Sequence, residues 1–316
     1  MTEDGKLPVI SGGSLREAEL PAPPDVAWSP TAARAESPFA QGVRRLQRST
    51  TALIGAGIVA VLLVVAIFAD VLAPQSPIAS DQTHTFERPG LDYPLGTDQL
   101  GRDMLSRVIH GSRISLLVGV SSVLLALFVG VPFGMIAGYY GGRTDSIIMR
   151  SMDLILAFPI YLLAIILMVI FTPTAGLIGT MKVTGAIAIV RIPIYARLVR
   201  GSVLSIKEKE YIEACRAVGV RDWKILLRHV LPNCLAPIIV TTTLGIATSI
   251  IVEATLSFLG LGTQPPTPSW GWDLKANVAF IQSNPWISLF PGLAIFVTVL
   301  GFNLFGDGLR DALDPR

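Results

Sequence analysis

The run ALIGAGIVAVLLVVAIFADVLA, residues 52–73, decides the class of fold. It contains a single charged side chain, Asp70, close to its end. A bilayer core of about 30 Å needs about 20 apolar residues in helical conformation. The apolar part of a secretory signal is only about 7–15 residues long. The run therefore predicts a transmembrane helix that is retained in the protein.

Five further segments have the length and the apolar character of membrane spans. They cover residues 114–139, 147–171, 177–199, 235–261 and 286–305. Lys182 and Arg191 make the fourth the least regular. The 316 residues are 51% hydrophobic and 15% charged, with a mean hydropathy of +0.59, whereas a soluble domain carries about 25% charged residues. The sequence predicts an all-α polytopic membrane protein with six transmembrane helices.

The distribution of basic residues predicts the orientation of these spans. Arg44, Arg45 and Arg48 stand just before the first span, and residues 207–229 hold six more Lys and Arg. Lys and Arg are retained on the cytoplasmic side, so both termini are expected in the cytoplasm, with the chain in the cytoplasmic (inner) membrane. The connections 74–113 and 262–285 are then expected outside.

Residues 1–42 differ in composition from the rest of the chain. They are rich in Pro, Ala, Ser and Glu and show neither helical nor strand periodicity. Such a composition is typical of a disordered segment. The chain is therefore predicted to consist of a disordered cytoplasmic tail, residues 1–42, and a membrane domain, residues 43–316.

The segment between spans four and five, residues 207–232, is called the elbow here. It is too charged to cross a membrane, yet Tyr211–Ala217 has the pattern of a short amphipathic helix. Gly219 is placed to end this helix, since glycine accepts the left-handed conformation of a C-cap. A second helix is expected to start at Arg221 and to stop at Pro232, which has no backbone donor. Such an elbow could lever against a partner protein, and an ordinary interfacial loop is the alternative.

Three of the charged residues inside predicted spans are candidates for a functional role, because a charge at a helix centre costs on the order of 2.5–3.5 kcal/mol. They are Asp153, Arg191 and Glu253. Each is a candidate for lining a translocation path or for pairing at a subunit interface. Alternatively, each lies near the end of a span and is solvated there. Arg150 stands three residues before Asp153 and is its expected ion-pair partner.

Asp98, Arg102 and Asp103 form a charged cluster in the second half of the long connection, residues 74–113. A catalytic carboxylate pair is disfavoured because no histidine or nucleophile accompanies them at a useful spacing. The cluster is expected to cap and orient the helix that enters span two, or to contact an external binding protein.

The sequence lacks the signatures of nucleotide, metal and catalytic sites. No phosphate-binding loop of the form G-x-x-x-x-G-K-[ST] occurs. Cys215 and Cys234 lack a CxxC spacing and a histidine partner, which favours free structural thiols over a metal site. We expect no cofactor, no metal and no enzymatic activity in this chain, so any use of ATP requires a partner.

The elbow carries the residues by which the chain resembles a known family. Its motif is similar to the one that marks the membrane subunits of bacterial ATP-binding-cassette importers. The matching residues are Glu213, Ala214, Gly219, Leu231 and Pro232. Cys215 replaces the second alanine of the motif with another small residue. The resemblance implies a type I importer permease fold, in which the helix Tyr211–Ala217 is a coupling helix seated in a groove of the ATPase subunit.

Further segments resemble the "C" type subunit of the dipeptide, oligopeptide and nickel permeases. They are Leu95–Asp103, Phe158–Pro159, Tyr195–Gly201, Leu256–Gly262 and Gly306–Arg316. The resemblance implies a second permease subunit of the B type, one or two ATP-binding subunits that use ATP and Mg²⁺, and an extracytoplasmic substrate-binding protein. It implies no nucleic-acid partner.

The implied function is translocation of dipeptides or oligopeptides across the cytoplasmic membrane, driven by ATP hydrolysis in partner subunits. Nickel, glutathione or another small solute is an alternative cargo, because an external binding protein largely selects it. An ion-coupled secondary carrier is a further alternative, disfavoured by the elbow and by the absence of an internal repeat in the sequence. A membrane enzyme is opposed by the lack of a catalytic constellation.

Overall fold

Helices make up nearly all the regular structure of the described residues. The computed structural model describes Arg44 and residues 46–313, so the expected disorder of residues 1–42 lies outside the described residues. The helices are α1 (Thr50–Ile67), α2 (Ala69–Leu72), α3 (Met104–Tyr140), α4 (Gly142–Leu156), α5 (Ile160–Phe171), α6 (Gly176–Ile206), α7 (Glu210–Ala217), α8 (Asp222–Ile225), α9 (Leu231–Phe258), α10 (Trp270–Asn277) and α11 (Trp286–Leu313). Bridges of the β type in this part of the chain are two isolated pairs. The predicted all-α class is confirmed.

In the part of the chain that the structure describes, five continuous helices are long and apolar enough to cross a bilayer. They are α1, α3, α6, the stretch Asp222–Phe258 that ends with α9, and α11. The pair α4 and α5 adds a sixth if it is counted as one bent span. Several helices extend beyond the predicted spans, since α3 begins at Met104 and α11 continues to Leu313.

The third predicted span, residues 147–171, is wrong as a single straight helix. α4 ends at Leu156, α5 begins at Ile160, and their axes differ by 87°. Pro159 is the N-cap of α5. Proline lacks a backbone N–H and disfavours helical conformation at the residue before it, here Phe158. The 12 residues of α5 rise only about 18 Å, which is too short to cross the bilayer core alone.

A glycine stripe brings α3 and α6 into close contact. Gly130, Gly134 and Gly138 recur at every fourth position of α3, and residues with this spacing share one helix face. A Cβ atom on Gly134 would lie 2.5 Å from the carbonyl oxygen of Ala196, and one on Gly130 would lie 2.7 Å from that of Ile192. Small residues at this spacing let membrane helices approach closely. α3 and α6 therefore form a tightly packed pair, and both lead to the elbow.

Candidate functional site: the elbow and the buried charges

The first half of the elbow is α7, which a glycine ends. Gly219 has a φ of +76°, and its N–H donates to the carbonyl of Arg216 at 2.9 Å. The N–H of Val220 donates to the carbonyl of Cys215 at 3.0 Å. These two bonds form a Schellman motif, and the accompanying hydrophobic contact is supplied by Val220 and Cys215, which both pack on the core. The prediction that Gly219 ends this helix is confirmed.

The second half of the elbow runs into α9 without a break. α8 is followed by a π-helical turn, Leu226–Val230, in which the N–H of Leu231 donates to the carbonyl of Leu226. The expectation that the helix stops at Pro232 is wrong, because Pro232 lies in the first turn of α9. The missing N–H of a proline and the bulk of its ring are tolerated there because the preceding turn is wider than an α-turn.

Tyr139, near the end of α3, connects the two halves of the elbow. Its hydroxyl donates to Oδ1 of Asp222 at 2.8 Å and accepts from Nε of Arg216 at 3.4 Å. The guanidinium of Arg216 also lies over the Tyr139 ring, 4.9 Å from its centroid. The hydrogen bond with Tyr139 raises the pKa of Arg216, so this side chain stays charged. One side chain of α3 therefore contacts both α7 and α8.

An apolar cluster joins the elbow to the ends of the long helices. From the elbow, Ile212 and Ile225 are fully buried in it. The other buried members include Val131, Met135, Val199, Val203, Ile206, Leu226, Val230 and Ile238. These residues belong to α3, α6, α9 and the π-helical turn, so the elbow is packed against the long helices as part of the same core.

Other apolar side chains of the elbow are exposed. Val218 is 78% exposed, Trp223 55%, Leu227 52% and Tyr211 41%. Several large apolar groups exposed together indicate an interaction surface. The elbow thus has a buried set of residues that fastens it to the membrane helices and an exposed set that is available to another protein.

The predicted coupling residues divide between these two sets. Six of them are exposed: Tyr211, Glu213, Ala214, Ala217, Gly219 and Pro232. Cys215 and Leu231 are half-buried and pack on the core cluster. Within the described residues, the carboxylate of Glu213 has neither a hydrogen bond nor an ion pair. Its charge is therefore available to a partner.

Asp153 is paired, but not with the expected residue. Its carboxylate accepts from Nη2 of Arg197 on α6, so the expected pair with Arg150 is wrong. The reason is the packing of α4 on α6, which brings Arg197 to this carboxylate. Arg200 and Asp145 form a second pair between the same helices, with Nε and Oδ1 2.5 Å apart. Both ion pairs join α4 to α6.

Arg191 and Glu253 are buried, so the alternative of solvation at a span end is wrong for both. Arg191 is 9% exposed and donates from Nη2 to Oγ1 of Thr248. Glu253 has no exposed surface. Its Oε1 accepts from Ser257 at 2.8 Å and from Ser269 at 3.1 Å, and its Oε2 accepts from Ser115 at 3.4 Å. Glu253 thereby connects α3, α9 and the N-terminus of α10.

The cluster in the second half of the long connection is turned inward. Asp98, Arg102 and Asp103 are 0%, 7% and 1% exposed. Nε of Arg102 donates to Oδ2 of Asp98 at 2.6 Å, and Oδ2 of Asp103 accepts from the N–H of Ser106 at 2.8 Å. The capping of α3 by Asp103 is confirmed. Burial leaves these three side chains almost no surface for the other expected role, a contact with a binding protein.

A buried arginine next to this cluster ties the connection to α10. Arg107 is 1% exposed, and its Nε donates to Oδ1 of Asp273 at 2.8 Å. The same Nε lies 4.0 Å from Oδ2 of Asp98. Oδ1 of Asp98 accepts from the N–H groups of Leu100 and Arg102 at 2.8 and 3.0 Å. Each carboxylate of this cluster thus has a partner within the chain on one oxygen at least, although Oδ1 of Asp103 and Oδ2 of Asp273 are buried without a hydrogen bond.

Sequence reasoning missed the residues that fasten the elbow and those that form its surface. Tyr139 and Asp222 were not singled out, because their contact joins positions 83 residues apart in sequence. Val218 and Trp223 carried a usable signal, since both are large apolar residues within a charged segment. Both cysteines are free, as expected. No cluster of metal-ligating side chains is found among the described residues.

The fold and the elbow together define a class: a polytopic α-helical membrane protein with a helical connection exposed for a partner. Comparison with known proteins supplies the family. The model of the "binding-protein-dependent transport system inner membrane component" family matches residues 130–316, and that of the "N-terminal TM domain of oligopeptide transport permease C" matches residues 37–89. The chain belongs to the first family, and it is a permease subunit of an ATP-binding-cassette importer.

Curated relatives align over most of the chain. A dipeptide transport system permease, DppC of Alkalihalophilus pseudofirmus, is 45% identical over 89% of this chain and 91% of its own length. A glutathione transport system permease, GsiD of Pectobacterium atrosepticum, is 44% identical over 89% of this chain and 92% of its own length. A di/tripeptide permease, DppC of Pseudomonas aeruginosa, is 45% identical over 82% and 87%.

One solved structure supports the fold. It is the inward-facing MetNI methionine ABC transporter, with a TM-score of 0.53 and 19% identity. The match covers 67% of this chain and 98% of the solved one. The likeness is one of architecture, and it agrees with the predicted type I importer permease fold.

Proposed function

We propose that this permease translocates dipeptides or oligopeptides across the cytoplasmic membrane. The proposal is supported by the relatives at 45% identity, which are named for dipeptide and di/tripeptide transport. Glutathione is a second candidate cargo, because a relative at 44% identity is named for it. Both are small solutes with peptide-type bonds and free carboxylates, so one path suits either.

The chain works in a complex and leaves ATP hydrolysis to its partners. A second permease subunit of the B type encloses the path with it, one or two ATP-binding subunits use ATP and Mg²⁺, and an extracytoplasmic binding protein delivers the cargo. The absence of a phosphate-binding loop from the sequence and the family match support this division of labour. The chain itself is non-catalytic.

The elbow is the coupling element and faces the cytoplasm with both termini. The basic residues of 207–229 support this orientation. Val218, Trp223 and Tyr211 dock apolar surface on an ATPase subunit, and the unpaired Glu213 supplies a charge-assisted hydrogen bond to it. When ATP binding closes the ATPase subunits, the elbow moves. Tyr139 and the apolar cluster pass this movement to α3, α6 and α9.

The observation that carries this mechanism is the contrast between the two sides of the elbow. Ile212 and Ile225 are fully buried against the membrane helices, while Val218 is 78% exposed. A connection that served only to link two spans would need the first feature and not the second. A coupling element needs both, since it has to hold the transporter and receive a force from outside.

The test is a pair of elbow variants, Gly219→Val and Glu213→Lys. Gly219 has a φ of +76°, and a residue with a side chain costs roughly 1 kcal/mol or more in this conformation. The substitution therefore changes the orientation of α7 relative to α8. Glu213→Lys reverses the charge offered to the ATPase. We expect both variants to insert normally but to lose most uptake and most of the ATPase activity that the loaded binding protein stimulates, while the binding protein still binds cargo.

Uptake is measured in cells with permease abundance checked by immunoblot, and ATPase activity is measured on the purified complex. Gly57→Val is the matched control, because it makes the same change in a helix where nothing lies within 4 Å of the added Cβ atom. Normal uptake and normal stimulated ATPase activity in both elbow variants would refute the coupling role.

A further inference from the structure

Arg191 stands at the middle residue of α6, a helix of the membrane domain. It is 9% exposed. A guanidinium at this depth is costly, and intramembrane charges almost always face a bundle interior or a water-filled cavity and have a partner. Burying the charge of Arg191 in the helix Gly176–Ile206 costs free energy, and some interaction must offset that cost.

The described chain offers this guanidinium little compensation. Its Nη2 donates to Oγ1 of Thr248 on α9, and this is the hydrogen bond that the structure gives it. Within residues 46–313 no carboxylate lies within ion-pair distance of it. Nε and Nη1 have no hydrogen bond in the described chain, and neither atom is sealed from solvent. Both therefore keep some accessible surface. Arg191 thus has donors to spare for a group that comes from elsewhere.

Hydroxyl groups lie beside Arg191. Tyr195 is one turn further along α6, and its hydroxyl and Oγ1 of Thr242 are sealed from solvent and interact with each other. The absence of a side chain at Gly245 lets both groups of α6 approach α9 closely, since a Cβ atom there would lie 3.0 Å from the Tyr195 hydroxyl and 3.4 Å from Nη1 of Arg191. The site thus combines a cation that has no carboxylate partner among the described residues with neighbouring hydroxyl groups of α6 and α9.

A cavity of about 460 Å³ between α6, α9 and α11 lies on the elbow side of this site. Leu198, Thr241 and Leu244 line it, and Arg310 lines it as well. Thr248, which holds Arg191, donates to the carbonyl of Leu244 at 3.2 Å, one turn away on α9. The unpaired guanidinium therefore stands one helical turn from residues that line an open cavity.

We propose that Arg191 binds a carboxylate of the translocated cargo on its way along the path that this chain encloses with the second permease subunit. The ligand class is an amino-acid-derived anion, such as a peptide with a free C-terminal carboxylate. This inference rests on the proposed function. The fork of N–H donors in a guanidinium fits the two oxygens of a carboxylate, and a transient partner explains why the chain provides no permanent one.

A carboxylate of the second permease subunit has the same chemistry, and the experiment separates the two sources. The complete importer is reconstituted in liposomes with its binding protein, and ATP-dependent uptake of labelled dialanine is measured. The variants are Arg191→Gln, which removes the charge, and Arg191→Lys, which keeps it without the fork. Lys182→Gln is the matched control, because it removes a cation from the N-terminal part of the same helix. Subunit composition and the cargo-dependent increment of ATPase activity are recorded for each.

We expect Arg191→Gln to lower uptake roughly tenfold or more, the effect of losing one charge-assisted pair, and to abolish the cargo-dependent ATPase increment in a complex of normal composition. Arg191→Lys should retain part of both, and Lys182→Gln should behave as wild type. Undiminished uptake by Arg191→Gln would overturn the inference alone. Loss of the second permease from the Arg191→Gln complex would overturn it in favour of a subunit contact. Failure of the wild-type complex to import dialanine would overturn the proposed cargo and the inference together.

Discussion

The elbow and the long connection, residues 74–113, are the two polar segments whose motifs stand out in the sequence, and their motifs differ in exposure. The connection buries the charges of its motif, with Asp98 and Asp103 at most 1% exposed. The elbow leaves Glu213 exposed and unpaired among the described residues, and it exposes Val218 and Trp223. The motif of the connection binds its charges within the chain, whereas the elbow exposes apolar surface and charge.

This difference shows that a recognisable sequence motif can serve either the structure of its own chain or contact with a partner. In the connection, Asp98 and Arg102 pair with each other and Asp103 caps α3, so the motif maintains a structure. In the elbow, Gly219 and Ile212 maintain the structure, while Glu213 and Val218 have no structural task within the described residues. A motif whose side chains contact other residues of the same chain stabilises that chain. A motif whose side chains are exposed and lack such contacts indicates an interface with another protein.

The largest effect is expected from breaking the buried pair of the connection. Arg107→Gln leaves the carboxylate of Asp273, which is fully buried, without its cation. Removing one partner of a buried ion pair costs about 3–5 kcal/mol. We expect a marked loss of membrane abundance and a lower unfolding temperature of the purified complex, both measured against Arg88→Gln, an exposed arginine of the same connection. Equal stability of the two variants would mean that the connection is not held by its buried charges.

The smallest effect is expected from the exposed part of the connection, where pH acts on His84. A hydrogen bond that the ring of His84 donates to the carboxylate of Asp81 raises the pKa of His84 above its ordinary 6.5. The pKa of Asp81 falls to about 2, first through hydrogen bonds from Thr83 and then through His84, so Asp81 stays ionised at neutral pH. The stabilisation from protonated His84 is present below pH 6.5 and is lost as the pH rises through the higher pKa of the folded state.

Hydrogen exchange of residues 82–90, corrected for the intrinsic rate, is the measurement for this pH effect. We expect slightly better protection at about pH 5 than at about pH 9, and no such difference in His84→Gln. The elbow, which lacks this pair, should show no matching change. A pH difference of the same size in wild type and His84→Gln would assign the effect to other groups.

The sequence was sufficient for what depends on local chemistry. Runs of apolar residues placed the spans, and the conformational freedom of Gly219 placed the end of α7. The capping role of Asp103 followed from its position before an apolar helix. Each of these depends on residues close together in the chain, so pattern and propensity carry the information.

The sequence failed where a distant contact or a change of helix type decides the outcome. Asp153 pairs with Arg197, 44 residues away, because α4 packs on α6. Pro232 does not end its helix, since a π-helical turn precedes it. The bend at Pro159 was not expected because the apolar run continues through it. Helix packing sets the first outcome, and backbone geometry around proline sets the other two.

The most direct test of the account is a site-specific cross-link from the elbow. A benzophenone amino acid is placed at Val218 of the elbow and, in a second protein, at Leu91 of the long connection, where the side chain is fully exposed. After irradiation of the assembled importer, we expect Val218 to cross-link to an ATP-binding subunit and Leu91 to give no such product. A Val218 position that fails to reach the ATPase, or a Leu91 position that reaches it, would contradict the assignment of the elbow as the coupling element.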